Sequence, residues 1–74
     1  MADLHPLMAE LADTRRAGGV PQKTIARRLN VSRSTVATWE TGSRQPTLAT
    51  AAAYAQALGL ELEIHIVDNE AGAQ

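Results

Sequence analysis

No cysteine occurs among the 74 residues, so neither a disulfide frame nor a thiolate zinc site is open to this chain, and a reducing cytoplasm is its expected home. The two histidines, His5 and His65, stand far apart, and no metal or cofactor is expected. Aromatic residues amount to one Trp and one Tyr, too few for the rows of rings that stack single-stranded nucleic acid. No stretch approaches the roughly 18 apolar residues of a membrane span. The opening MADLHPLMAEL lacks the basic start and unbroken apolar run of a secretory signal. A nucleophile paired with a base, a phosphate-cradling glycine loop and metal-ligand spacing are missing too, so enzymatic activity is not expected. What remains is one small soluble domain, near the size at which a single core is marginal and a partner subunit adds useful stability.

The formal net charge of −1, taken alone, argues against a nucleic-acid partner. Its distribution argues the other way. All seven basic residues, Arg15, Arg16, Lys23, Arg27, Arg28, Arg33 and Arg44, lie between positions 15 and 44, where Glu40 is the one acid. A strongly positive window is flanked by two acidic ends.

Leu4, Leu7, Met8 and Leu11 recur at helical spacing, with Glu10 and Asp13 on the other side and Asp3 placed to cap, which predicts a helix over residues 4–16. Gly18 and Gly19 end it. Pro21 suits a helix start, and Ile25, Ala26 and Leu29 give a short apolar stripe through QKTIARRL. Asn30 follows where the chain must turn, and asparagine tolerates the left-handed backbone better than most residues. Ser32 is placed to cap a third helix from Arg33 to Thr41, stopped by Gly42. Thr47 caps a fourth, alanine-rich helix through TLATAAAYAQAL, closed at Gly59.

The period then changes. In LELEIHIV, Leu60, Leu62, Ile64 and Ile66 alternate with Glu61, Glu63, His65 and Val67, the two-residue repeat of a half-buried strand. A lone strand leaves its ladder unpaired, so its expected partner is the same strand of a second copy. Paired about Ile64, the strands would set Glu63 of one copy against His65 of the other, which suggests a pH-sensitive dimer. The expected organisation is a domain over 1–59, a dimerisation strand over 60–68 and a disordered tail over 69–74.

The third helix is unusual on its open side. At 100° per residue, Arg33, Ser34, Ala37, Thr38 and Thr41 fall within about 140° of arc, while Thr35, Val36 and Trp39 fall at roughly 200° to 300°. Val36 and Trp39 therefore face the core. A helix serving only structure usually carries long charged side chains outward; this one carries short and β-branched ones that weaken it and let another surface come close. Helix 2, a tight turn at Asn30 and helix 3 make a helix-turn-helix, whose second helix can enter a major groove with its N-terminal residues on base edges.

The stretch PQKTIARRLNVSRSTVATWETGSRQPT resembles the Cro/repressor-type, or Xre-type, helix-turn-helix family. The resemblance rests on Gln22 opening helix 2, Ala26 where the two helices pack, Val36 inside helix 3, and the WETG string followed by Arg44 and Pro46. It covers roughly residues 7–59. It implies a mainly α, lambda-repressor-like fold of four helices, here joined to a C-terminal β-strand pairing across a homodimer. Two departures stand out: Asn30 replaces the usual turn glycine, and the strand replaces a fifth helix common in the family. Cro-like proteins and some antitoxins of this family pair through C-terminal strands.

Arg33 can give two parallel hydrogen bonds to guanine; a phosphate contact or a solvated charge is the plainer alternative. Ser34 and Thr38 offer hydroxyls to base edges, and Ala37 or the Thr38 methyl can meet a thymine methyl. Gln22 and Lys23, at the start of helix 2, suit a phosphate, as do Ser32, which capping alone also explains, and Ser43 and Arg44 in the loop after helix 3. Arg27 and Arg28 read as a solvated face. The resemblance implies a partly buried ion pair between Arg15 and Glu40, joining helix 1 to helix 3.

The function expected is a sequence-specific regulator binding a palindromic operator in double-stranded DNA as a homodimer, a repressor because so short a chain leaves no room for a sensing or activating domain, at work in the cytoplasm of a bacterium or a phage-infected host. The rival is an antitoxin that binds a protein toxin and its own promoter. A dimerisation module with a vestigial helix-turn-helix is weaker, because the basic residues cluster.

Overall fold

The computed structural model describes residues 5–63. They form four α-helices: α1 (His5–Ala17), α2 (Gln22–Leu29), α3 (Arg33–Thr41) and α4 (Leu48–Ala57). α3 packs on α1 and α2, and α4 closes against the same two helices.

Local chemistry explains each boundary. α1 stops where Gly19 adopts φ 72°, and the amides of Gly19 and Val20 turn back to the carbonyls of Arg16 and Arg15 at 2.9 and 3.0 Å. α2 ends in the same way at Asn30, with φ 58° and ψ 45°; the amides of Asn30 and Val31 bond to the carbonyls of Arg27 and Ala26 at 3.2 and 2.9 Å. This two-bond closure satisfies carbonyls that a helix end otherwise leaves bare. Asn30 is the sole non-glycine with positive φ among the described residues. It therefore does at the turn what the usual glycine does.

Ser32 caps α3, its Oγ accepting from the Thr35 amide at 3.1 Å, and Thr47 caps α4 by accepting from the Thr50 amide at 3.1 Å. Arg28 supplies an end cap that the sequence did not suggest: its guanidinium donates to the Ala57 carbonyl at the C-terminus of α4, where the helix dipole favours a positive charge. The solvated-face reading of Arg28 is corrected to that extent. Its side chain is exposed but tied to a neighbouring helix.

The core draws on all four helices: Met8, Leu11 and Ala12 from α1, Ile25 and Ala26 from α2, Val36 and Trp39 from α3, and Ala51, Tyr54 and Ala55 from α4 are all buried. Alanines on α4 let it lie close to its neighbours, so the larger Met8, Ile25, Val36 and Tyr54 fill the middle. Removing a side chain such as Ile25 from this packing costs about 2–5 kcal/mol.

No strand occurs among the described residues. Residues 60–63 are irregular, although Leu62 packs against the core and Leu60 is exposed. Ile64 and Ile66, the rest of the expected dimerisation strand, and the tail 69–74 lie outside the described residues, as do Asp3, Leu4 and His65.

Candidate nucleic-acid interface

The turn at Asn30 sets α3 on the surface with its first residues foremost. Arg33, Ser34 and Thr41 are exposed, Ala37 and Thr38 are half-buried, and Val36 and Trp39 are buried on the reverse side. The small side chains leave the helix backbone open to close approach.

Hydroxyl groups on this face are already committed in part. Thr38 donates its proton to the Thr35 carbonyl at 2.6 Å, so toward a base it offers a methyl group and lone pairs. The Ser32 hydroxyl lies 3.1 Å from that of Ser34 and 2.7 Å from that of Thr35. Ser32 thus serves the helix end first, whereas Ser34 is the freer of the two.

The loop after α3 is drawn back to its last turn. The carbonyl of Thr38 accepts from the Arg44 amide at 3.2 Å and from the Thr41 and Ser43 hydroxyls at 3.3 and 3.4 Å. Ser43 and Arg44 are consequently held beside the C-terminal end of α3, both exposed. Lys23 stands exposed in the first turn of α2, and Gln22, half-buried, opens that helix.

Beneath this face sits a buried charge cluster. Arg15 grips Glu40 with two bonds, Nε to Oε2 at 2.8 Å and Nη2 to Oε1 at 3.0 Å, and its Nη1 donates to the Val20 carbonyl at 2.8 Å. The residues are 7% and 8% exposed, so the pair is buried rather than half in water. Tyr54 of α4 donates its phenol to Glu40 Oε2, and Gln22 donates Nε2 to Oε1 at 2.9 Å. Arg16, itself bonded to Asp13 at 2.9 Å, approaches Glu40 Oε1 at 3.9 Å.

Burial alone would push the Glu40 carboxyl up, but the bonds from Arg15, Tyr54 and Gln22 outweigh it and hold the group below the ordinary carboxylate range. The bond to Glu40 raises the Arg15 guanidinium further. Burial, and then the Glu40 carboxylate, push the Tyr54 phenol up.

The cluster reaches the surface through Gln22. Its Oε1 accepts from Arg33 Nη1 at 3.1 Å. From the sequence, Gln22 reads as a phosphate contact alone and Tyr54 is not singled out. A tyrosine in the middle of an alanine-rich helix is the available signal, because a buried phenol requires a polar partner.

The arrangement is a small-residue helix face led by one exposed guanidinium, with Lys23, Ser43 and Arg44 also exposed. Among the described residues no His, Cys, Asp or Glu cluster could hold a metal ion, and no helix is long and apolar enough to cross a membrane. A helix-turn-helix family model matches residues 11–64. No curated protein and no solved structure matches the chain significantly.

Proposed function

The chain belongs to the Cro/C1-type, Xre-like helix-turn-helix family of DNA-binding transcription regulators, and from that premise we propose that it is a homodimeric repressor that reads a palindromic operator through α3, without enzymatic activity. The observation that carries this reading is the α3 face: Arg33 and Ser34 exposed at the helix N-terminus, with Ala37 and Thr38 behind them. In the proposed complex Arg33 donates to guanine, Ser34 meets a neighbouring base edge, and Ala37 and the Thr38 methyl contact thymine methyls. Gln22, Lys23, Ser32, Ser43 and Arg44 border that face and fix register by binding phosphates. Occupying an operator that overlaps a promoter is sufficient for repression and asks nothing of the protein beyond the reading head. Such binding takes place in the cytoplasm of a bacterial cell or phage-infected host.

Dimerisation through residues 60–68 is supported by the alternation of Leu60, Leu62, Ile64 and Ile66 with polar residues. Two reading heads related by a dyad ask for half-sites about 34 to 36 Å apart, or a modest variation on it. Selection of bound duplexes from a random library, with sedimentation of the free protein, tests the reading. A symmetric consensus and a dimer support it; enrichment of no sequence refutes it.

A second reading is an antitoxin that binds a protein toxin as well as its own promoter. It is favoured by Glu10 and Asp13, both exposed on α1. A toxin encoded beside this chain and co-purifying with it supports that role; its absence from both leaves the repressor alone.

A further inference from the structure

Glu40 is buried, yet the direction of every hydrogen bond around it has a consequence at the surface. An ionised carboxylate accepts and never donates. Oε2 takes Arg15 Nε and the Tyr54 phenol; Oε1 takes Arg15 Nη2 and Gln22 Nε2. The Gln22 amide has two unlike ends, one donating and one accepting, and toward Glu40 only the NH2 end is productive. Its carbonyl end must therefore turn away, and there it meets Arg33 Nη1 at 3.1 Å. A guanidinium has donors only. Carboxylate, amide and guanidinium thus fit in a single orientation, because turning the amide over sets oxygen against oxygen at one junction and hydrogen against hydrogen at the other.

We propose that Glu40, which is too deep to touch DNA, is a positioning residue for base recognition: acting through Gln22, it holds Arg33 by Nη1 and leaves the Nε and Nη2 edge as a two-pronged donor for guanine. The inference rests on the reading of α3 as the base-contacting helix. It separates two functions of one carboxylate. The bonds to Arg15 and Tyr54 join α1, α3 and α4, whereas the bond to Gln22 transmits the sign of the buried charge to the reading head. A neutral amide at position 40 presents both a donor and an acceptor, so Gln22 is then free to turn its NH2 end toward Arg33 and release it.

The test uses four duplexes that differ only at the base pair whose preference is lost in Arg33→Ala. Dissociation constants are measured for the wild type, Glu40→Gln and Gln22→Met, with thermal melting of each protein. Gln22→Met cuts the link and leaves Arg15, Glu40 and Tyr54 in place, so an unchanged preference in this variant overturns the inference even if Glu40→Gln fails to fold. A two-pronged guanine contact gives the wild type about a 5- to 100-fold preference. The preference is expected to fall several-fold in either variant, with no further fall when Glu40→Gln is added to Gln22→Met. Folded variants that lose affinity equally for all four duplexes and keep the wild-type preference overturn the inference while leaving the reading head intact. A wild type without preference at any base pair overturns both.

Discussion

Arg15 and Glu40 lie 25 positions apart in sequence and meet through two parallel hydrogen bonds of 2.8 and 3.0 Å, almost out of reach of solvent. Such a pair adds little net stability when intact, since desolvation offsets most of its attraction. Losing one member strands the other charge and costs about 3–5 kcal/mol. Arg15→Met is accordingly expected to destabilise the domain by about that amount in urea denaturation. A loss under about 1 kcal/mol would mean that water reaches Glu40 and shares its charge, as for a surface pair.

Acidification should expose the same carboxylate. Because the folded state lowers the Glu40 pKa, its contribution is present above the unfolded value of roughly 4.3 and is lost as pH falls through the lower folded value. Denaturation curves between neutrality and strong acid are expected to show the gap between wild type and Glu40→Gln narrowing over that interval. A gap that stays constant contradicts the assignment.

At the alkaline end the sign reverses. The Tyr54 pKa is raised by burial and by Glu40, so stability is intact below roughly pH 10 and falls as pH rises toward the folded value. Tyr54 is the one tyrosine of the chain, so the tyrosinate absorbance reports it directly. Titration is expected to coincide with unfolding; ionisation at an ordinary pH in a folded protein would contradict the burial.

Asn30 offers a backbone test. Its left-handed conformation costs an ordinary residue roughly 1–2 kcal/mol, so Asn30→Ala is expected to destabilise by about 1 kcal/mol, whereas Asn30→Gly is expected to leave thermal stability unchanged or slightly higher. Equal loss in both would show that the asparagine side chain, rather than the backbone, holds the turn.

Much of this architecture was legible because it is written in local chemistry. Gly19, Asn30, Ser32, Gly42 and Thr47 mark helix ends by backbone preference and short-range hydrogen bonds, which need no knowledge of the rest of the chain. The alternation of small and apolar residues on helix 3 likewise gives its two sides. Contacts between distant residues were harder. The Arg15 and Glu40 pair was suggested by resemblance, not by spacing, and the bonds of Tyr54 to Glu40, Arg28 to Ala57 and Gln22 to both Glu40 and Arg33 depend on how four helices pack. No periodicity carries that information.

The most direct measurement is fluorescence anisotropy at about 150 mM salt, where non-specific contacts are suppressed, comparing the DNA upstream of the protein's own gene with a scrambled duplex. Arg33→Ala and Lys23→Ala are run beside the wild type. The expected result is saturable binding to the upstream DNA, weakened by about 1–3 kcal/mol in Arg33→Ala with relaxed preference at one base pair per half-site, and a uniform weakening with a shallower salt dependence in Lys23→Ala. Equal, weak binding of all three proteins to both duplexes would contradict recognition of this DNA through α3.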